Sequence, residues 1–225
     1  MWCVAEIDEP YVARMEDVLE LYERSYNPQE PVVCFDEKAV ALHAEVRPPQ
    51  AVRPGNIAKR DSEYKRRGTA NIFCAVEPKA GRHFTWVSRR RTAVEFAQSI
   101  RKLVESYPLA RTIHLVVDNL NIHCEKSLTD RWGNELGATL WHRLTVHHTP
   151  KHGSWLNQAE IEIGLYSRQC LGNRRIPDIS QLKRESTAWN RRVNRDRLLI
   201  QWNFNRQDAQ RVFHYQSNLF SRSEN

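Results

Sequence analysis

The sequence predicts an α/β fold in which a mixed β-sheet carries helices on both of its faces. Three observations support this prediction: strand-like apolar runs come first without helices between them, helix and strand patterns alternate afterwards, and two of the apolar runs end abruptly in an aspartate. Successive strands without helices favour an antiparallel meander, whereas strands separated by helical segments favour parallel pairing with helical crossovers. The combination indicates a sheet of mixed direction.

The N-terminal half is predicted to begin with a helix and to continue with strands. Within residues 9–26 apolar side chains recur at helical spacing, and Asn27-Pro28 ends the helix. The segment 47–69 is rich in proline, glycine and charge, so we expect a surface loop there. Strands are expected at residues 31–36, 39–46, 70–77 and 82–88.

Helices and strands alternate in the second half. Gly133 and Gly137 each weaken one of these helices, 125–139, by roughly 1 kcal/mol relative to alanine. Ser154 is a plausible N-cap for the helix that follows the last strand. Helices are expected at 92–106, 125–139, from about Ser154, at 179–196 and at 207–215, with strands at 111–117 and 142–147 and a short strand or extended piece at 199–204. This order matches a ribonuclease H-like core, in which acids come from the first strand, the fourth strand and a late helix.

Composition points to a soluble protein with a polyanionic partner. No apolar run approaches the roughly 20 residues of a membrane helix, and the N-terminus lacks a signal-peptide pattern, so we expect a cytosolic protein without a membrane partner. The 34 Lys and Arg residues exceed the 27 acids, giving a formal net charge of +7. Arg-rich clusters such as Lys65-Arg66-Arg67 suit phosphate, although solvated surface charge is the alternative. Five cysteines without CxxC spacing indicate reduced thiols.

Three acids, Asp36, Asp118 and Glu160, are candidate ligands of a divalent metal site. Each aspartate closes an apolar run, and Glu160 lies in the segment 147–163 after a Gly-Ser turn. Carboxylates about 4 Å apart repel each other by roughly 4 kcal/mol at an effective dielectric near 20, so a cluster of them requires protons or cations. Oxygen ligands favour Mg²⁺ or Mn²⁺, and a two-metal carboxylate site suits in-line displacement at phosphorus.

Two of the three acids, Glu160 and Asp36, have an acidic neighbour that is an alternative ligand. Glu162 points about 200° away from Glu160 on a helix, so only one of them faces the site. Asn157 shares the face of Glu160, and we therefore assign Glu160 to the site and Glu162 to the solvated surface. Glu37 and Asp36 point to opposite faces of a strand, and Asp36 is preferred because it ends the apolar run.

Polar side chains near these acids are candidate DNA contacts. Asn119 and Asn121 suit a phosphate, but Asp-Asn-x-Asn is also good turn chemistry. His123 could orient water or contact phosphate, or be satisfied locally. Lys151 and His152 precede a helix N-terminus, which favours anions, and the loop lacks the ligand spacing of a zinc site. The full set of candidate DNA-binding residues is Lys65, Arg66, Arg67, Asn119, Asn121, His123, Lys151, His152 and Asn157.

Five segments carry a resemblance to a known family: VVCFDEKAV (32–40), DSEYKRRGTANIF (61–73), LVVDNLNIHC (115–124), HHTPKHGSWLNQAEIEI (147–163) and QWNF (201–204). Together they resemble bacterial insertion-sequence transposases of the DDE type, in the branch related to mariner elements. The most specific parts are VVDNLN with its downstream histidine and TPKHGSWLN followed by Ala-Glu. The resemblance runs over nearly the whole chain.

The resemblance implies a ribonuclease H-like catalytic domain at 31–175, between an N-terminal helix and linker at 1–30 and a C-terminal helical extension at 176–225. It further implies that Asp36, Asp118 and Glu160 bind two Mg²⁺ or Mn²⁺ ions for cleavage of phosphodiester bonds at element ends and for strand transfer. The implied partners are element ends, target DNA and a second copy in a synaptic homodimer. The implied location is the bacterial cytoplasm, at the nucleoid when bound to DNA.

Transposases of this branch usually carry an N-terminal helix-turn-helix region that recognises the terminal repeats of the element. This chain starts about where that region would hand over to the catalytic domain, so the resemblance covers catalysis and leaves end recognition unsupported. Two alternatives therefore stand beside the transposase interpretation. One is a catalytically inactive DNA-binding remnant, and the other is a ribonuclease H-like nuclease without strand transfer.

Overall fold

A five-stranded mixed sheet lies at the centre of the structure, a computed structural model that describes residues 7–215. Its strands are β1 (Val32–Glu45), β2 (Tyr64–Glu77), β3 (Arg82–Ser88), β4 (Ile113–Val117) and β5 (Leu144–His148). The spatial order is β3-β2-β1-β4-β5. The pairs β1–β2 and β2–β3 are antiparallel, whereas β1–β4 and β4–β5 are parallel. The predicted mixed sheet is confirmed.

Helices cover both faces of this sheet, as predicted. They are α1 (Glu9–Glu23), α2 (Ala93–Glu105), α3 (Glu125–Trp132), α4 (Asn134–His142), α5 (Ala159–Tyr166), α6 (Ile179–Arg195) and α7 (Arg206–Phe213). Helices α2, α3 and α4 share one core cluster with Val33 and Phe35 of β1. Helices α1 and α7 pack on the opposite face around Cys34, and α5 and α6 continue that face over β2. No helix between residues 7 and 215 is both long and apolar enough to cross a bilayer.

The first strand differs from its prediction in length. The two strands expected at 31–36 and 39–46 are one strand, because pairing with β2 continues from Cys34 to Glu45 across a bulge after Ala41. The parallel pairing with β4 covers only the stretch from Val32 to Cys34. Asp36 therefore lies inside β1, just beyond the point where its β4 neighbour ends.

Four further boundaries differ. Strand β2 begins at Tyr64, so the Lys65-Arg66-Arg67 cluster lies on a strand rather than in a loop. The helix expected at 125–139 is divided into α3 and α4 at Gly133, whose φ of 83° interrupts the helix. Ser154 starts a single 3-10 turn, and α5 begins only at Ala159. The segment 199–204, expected as a short strand or an extended piece, is not a strand.

The cysteines that the structure describes are Cys34, Cys74, Cys124 and Cys170, and all four are free thiols, as predicted. Cys3 lies outside the described residues, as do residues 1–6 of the predicted linker and residues 216–225 of the predicted extension.

Candidate active site

The register between β1 and β4 aligns the two candidate aspartates. Cys34 lies opposite Val116 in this parallel pair, so the same register continued by two residues places Asp36 level with Asp118. Residues two apart share a face of a strand, and neighbouring strands are about 4.8 Å apart. The register therefore brings the two aspartates to the same end of neighbouring strands, with Asp36 inside β1 and Asp118 directly after β4.

Asn157 places the start of α5 beside Asp36. Its Nδ2 donates to the carbonyl of Phe35 across 2.9 Å, and its Oδ1 accepts from the backbone N–H of Ala159 at 3.1 Å. The backbone N–H of Glu160 donates to the carbonyl of Asn157 at 3.0 Å. Glu160 thus lies exposed in the first turn of α5, where the helix dipole favours a negative charge.

The three acids interact electrostatically at Asp36. Burial raises the pKa of Asp36 to about 7, and the negative charges of Glu37, Asp118 and Glu160 add to this rise, although the backbone N–H of Glu37 donates to the carboxylate and opposes it. A carboxyl group in this field binds either a proton or a cation near neutral pH. Acids from β1, the end of β4 and α5 therefore act on one another although they are distant in sequence.

His123 is buried between two acids on the other side of Asp118. Its Nδ1 lies 2.9 Å from Oδ1 of Asp118, and its Nε2 lies 2.9 Å from Oε1 of Glu37. Its ring packs against Phe96, with 4.8 Å between ring centroids. Burial disfavours the charged ring, but the hydrogen bonds to Asp118 and Glu37 outweigh burial and raise the pKa of His123 to about 9.

The hydrogen bond from His123 is also the main reason why the pKa of Asp118 is lowered from its usual value. His123 is therefore an imidazolium at neutral pH, with both ring nitrogens donating. It holds the Asp118 carboxylate in its ionised form and in one orientation.

The donor set fits a hard cation. Within residues 7–215, no group of three His, Cys, Asp or Glu side chains is arranged to hold one ion among them. Mg²⁺ is commonly held by only one or two carboxylates and keeps several waters, so pairs of acids are sufficient ligands for it. Burial and the neighbouring acids both raise the pKa of Asp36, and a bound cation would offset both effects.

Most of the predicted DNA contacts lie on the surface. The side chains of Lys65, Arg66, Arg67, Asn119, Asn121, Lys151 and His152 are exposed. Asn119 is held in place because its Oδ1 accepts from Arg14 at 2.7 Å and its Nδ2 donates to the carbonyl of Thr149 at 2.5 Å. His152 has a positive φ of 64°, which turns the chain sharply before Gly153.

The two other predicted contacts, His123 and Asn157, are buried, with 2% and 1% of their surface exposed. The polar atoms of both side chains form hydrogen bonds within the protein, so the expectation that they contact DNA directly is wrong. His123 instead contacts Asp118, and Asn157 holds the start of the helix that carries Glu160. Sequence reasoning missed Arg14 because nothing in α1 indicates its proximity to Asn119. It also missed the hydrogen bond between His123 and Glu37, because the two residues are far apart in the sequence and no spacing pattern connects them.

The prediction that Glu162 lies on the solvated surface is wrong, because its side chain is fully buried. Its Oε2 lies 2.8 Å from Nδ1 of His83, whose Nε2 lies 2.7 Å from the carbonyl of Leu198. The roughly opposite directions of Glu160 and Glu162 were predicted correctly, but it is the Glu162 face that packs on the sheet. A signal was available, since Glu162 shares helical spacing with the buried residues Ala159 and Tyr166.

Comparisons with known proteins concern the family and the fold of this chain. A family model described as DDE superfamily endonuclease matches residues 31–183. A search of curated proteins gives no match.

Similar folds occur among solved structures. They include the Mos1 mariner paired end complex with Mn (17% identity, TM-score 0.54, covering 88% of this chain and 61% of that chain). A second is the Mos1 transposase paired-end complex with left transposon end, with 16% identity and a TM-score of 0.55, where the match covers 88% of this chain and 62% of that chain. A third is the Mos1 strand transfer complex, with 16% identity and a TM-score of 0.54, where the match covers 88% of this chain and 60% of that chain. The match confirms the ribonuclease H-like fold, and this chain covers 60–62% of the length of those three chains.

Proposed function

The chain belongs to the DDE superfamily endonucleases, and on that basis we propose that it is the catalytic domain of a bacterial insertion-sequence transposase of the mariner-related branch. Its reaction is metal-dependent cleavage of DNA phosphodiester bonds at element ends, followed by joining of the freed 3′-hydroxyl to target DNA. The observation that carries this proposal is geometric: the β1–β4 register places Asp36 level with Asp118, and the hydrogen bond from Asn157 to Phe35 places the start of the helix that bears Glu160 beside them.

Asp36, Asp118 and Glu160 are the proposed ligands of two Mg²⁺ or Mn²⁺ ions. When bound, such ions activate the attacking oxygen and stabilise charge on the leaving oxygen of an in-line displacement at phosphorus. The protein fixes the positions of these acids before any ion binds. His123 keeps Asp118 ionised, and Asn157 fixes the helix that carries Glu160. No side chain of this site needs to act as a covalent nucleophile.

The exposed cationic and amide side chains are the proposed DNA contacts. Arg66 and its neighbours Lys65 and Arg67 lie on the outer part of β2, and Lys151 and His152 lie in the turn before α5. Phosphate contacts of this kind fix the register of the duplex without reading its sequence. Asn119, anchored by Arg14, and Asn121 complete the proposed surface next to Asp118.

The similar Mos1 structures are paired-end and strand-transfer complexes. By analogy we propose that this chain acts on element ends and target DNA as a homodimer in a synaptic complex, at the nucleoid of a bacterial cytoplasm. We propose the same division of the chain as the resemblance implies, with the catalytic domain at 31–175 between the N-terminal helix and linker and the C-terminal helical extension.

The test is cleavage and joining of defined DNA. Purified protein is incubated with Mn²⁺ and nicked, end-containing or precut duplexes. The proposal predicts cleavage and strand joining that are lost in Asp118→Ala and retained in Asp130→Ala, an exposed acid on α3. DNA binding without cleavage would identify an inactive remnant. Cleavage without joining of precut ends would identify a nuclease that lacks strand transfer.

A further inference from the structure

The segment between β1 and the mostly buried half of β2 projects into solvent as an arm, defined here as residues 46–69. Every residue of the arm is exposed except Asp61, which is half-buried. Glu45, at the root of the arm, is nine residues beyond Asp36 and thus about 30 Å from it along an extended strand. The arm is therefore remote from the candidate active site.

The root of the arm is fixed to the rest of the protein by two arginines. The guanidinium of Arg175 donates to the backbone carbonyls of residues 61–63 across 2.7 to 3.1 Å. Nε of Arg60 donates to Oε1 of Glu45 at 2.9 Å and so connects the returning side of the arm to the end of β1. Because its root is fixed, the arm has a defined direction, and less conformational freedom is lost when a partner binds it.

The tip of the arm is a short hairpin with a two-residue turn. Arg53 and Asn56 exchange two backbone hydrogen bonds, of 3.1 and 2.8 Å, and Gly55 has the positive φ of 78° that the second central position of such a turn requires. Val52 and Ile57 lie at matching positions on the two sides of the hairpin, each one residue outside this pair. They are 73% and 79% exposed. Two β-branched apolar side chains are therefore in contact with water at the far end of the arm.

The arm also concentrates positive charge. Seven of its residues are Lys or Arg and two are acids, in a chain whose formal net charge is +7. Arg47 and Arg60 form salt bridges with Asp61 and with Glu45. Within residues 7–215, no salt bridge involves the other five cations of the arm, which are Arg53, Lys59, Lys65, Arg66 and Arg67. These five side chains are available to a polyanion.

Charge and shape together favour duplex DNA as the partner of the arm. A second copy of this chain is disfavoured because it carries the same net positive charge. An anionic lipid surface would attract the same cations, but membrane-bound segments of this kind bury a whole apolar face, whereas the tip offers only Val52 and Ile57. Two-stranded ribbons bind in the grooves of DNA, and minor-groove proteins combine cations with apolar side chains inserted between base steps.

We propose that the tip of the arm binds duplex DNA in the minor groove, with Val52 and Ile57 inserted at a base step and with Arg53 and Lys59 against the flanking phosphates. Insertion of this kind partly unstacks the bases and bends the duplex. The proposal rests on DNA as the partner in the proposed function but not on cleavage, since the arm is remote from the three acids. Its apolar residues account for bending and its cations for affinity.

Bending is measured on uninterrupted duplexes without metal, so that no cleavage occurs. Energy transfer between dyes at the two ends reports bending, and 2-aminopurine within the duplex reports unstacking. Wild-type protein should raise both signals, and the double variant Val52→Ser, Ile57→Ser should lose at least half of each increase. Both side chains are exposed, so these changes leave the core intact. Leu109→Ser, at an apolar residue that is 87% exposed outside the arm, is the control and should retain both signals.

The salt dependence of DNA affinity separates the two kinds of contact. Arg53→Ala combined with Lys59→Ala should flatten the slope of log affinity against log salt by up to about 2, because two phosphates are no longer neutralised. The double serine variant should keep the wild-type slope, since apolar side chains neutralise no phosphate. A serine variant that bends and unstacks DNA as the wild type does would overturn the proposal. Wild-type binding to phosphatidylserine vesicles that the serine variant loses would assign the arm to a membrane instead and would also overturn it.

Failure of this proposal and failure of the proposed function give different results. Asp118→Ala should bend DNA as the wild type does, although it should not cleave. Bending without Mn²⁺-dependent cleavage by the wild type would contradict only the proposed function. Cleavage without any contribution of Val52 and Ile57 to bending would contradict only the role of the arm. A wild-type protein that binds no duplex would contradict both.

Discussion

His123 lies with its Nδ1 2.9 Å from Oδ1 of Asp118, so a histidine five residues after the aspartate folds back on it. The other ring nitrogen contacts Glu37 on the neighbouring strand. A proposed metal ligand is thus fixed by a buried cation that is itself fixed by a second acid. Mutation of a residue that orients a metal ligand typically reduces metal affinity or activity by about 10–100-fold.

Replacement of His123 by Gln should therefore lower Mn²⁺-dependent cleavage by about 10–100-fold, since Asp118 loses the partner that orients and ionises it. His142→Gln, at an exposed histidine on α4, is the control and should retain full activity. Cleavage rates at saturating DNA and increasing Mn²⁺ measure both effects. Wild-type rates in His123→Gln would contradict a positioning role for His123.

The same histidine predicts a pH dependence of stability. The pKa of His123 is about 9 in the folded protein, above its ordinary value of 6.5, so its stabilising contribution is fully present below about pH 6.5 and is lost as the pH rises through about 9. The difference corresponds to about 3 kcal/mol at most. Urea unfolding of the wild type should show a fall in the free energy of unfolding between pH 6.5 and 9.5. The fall should be markedly smaller in His123→Gln and unchanged in His142→Gln.

Removal of the Asp36 carboxyl should stabilise the folded protein at high pH, whereas removal of His123 takes a stabilising group away. The pKa of Asp36 is raised from 3.8 to about 7, so the folded state binds its proton more tightly and loses stability as the pH rises from about 4 through 7. Without metal at pH 8, Asp36→Asn should increase the free energy of unfolding by about 1–2 kcal/mol, a value reduced for solvent screening of this half-buried group.

Mn²⁺ should neutralise the same charge, so it should raise the melting temperature of the wild type more at pH 8 than at pH 6. Asp36→Asn should lose most of this response. A shift by Mn²⁺ that is equal in the two proteins would mean that Asp36 is not a ligand.

Glu160 and Glu162 should separate function from stability. Glu162→Ala leaves buried His83 without its partner and should reduce the free energy of unfolding by about 3–5 kcal/mol, as is typical for a broken buried pair. Glu160→Ala, at an exposed position on the same helix, should change stability by less than about 0.5 kcal/mol yet abolish Mn²⁺-dependent cleavage. Urea unfolding and cleavage assays on both variants measure this contrast. If Glu160→Ala instead lost stability and Glu162→Ala instead lost only cleavage, Glu162 would be the metal ligand and Glu160 the structural residue.

The exposed Lys65-Arg66-Arg67 cluster should contribute to DNA affinity without determining sequence preference. Changing all three residues to alanine should weaken binding to every duplex and flatten the dependence of log affinity on log salt by up to about 3, or roughly 0.9 for each phosphate that the protein no longer neutralises. Arg131→Ala, on α3, is the control and should leave the slope unchanged. Fluorescence anisotropy between low and moderate salt measures both slopes.

The sequence could predict those features that depend on local periodicity. Alternation along β1 separates Asp36 from Glu37, and the structure keeps them apart, with Glu37 on the buried side toward His123. The order of strands and helices was enough to predict the mixed sheet. The predicted ends of strands were wrong where pairing with a neighbouring strand sets them. Pairing between β1 and β2 extends β1 to Glu45 and includes Tyr64 in β2.

By itself, then, the sequence determined the mixed sheet and which acids end the apolar runs, because backbone periods of two and 3.6 residues are local properties. Tertiary structure alone decided that His123 joins Asp118 to Glu37, that Asn157 holds α5 against β1, and that Glu162 is buried. Helical periodicity gives the angle between Glu160 and Glu162 but cannot say which direction meets the sheet. That choice depends on how α5 packs, and packing is a relation between segments that are distant along the chain.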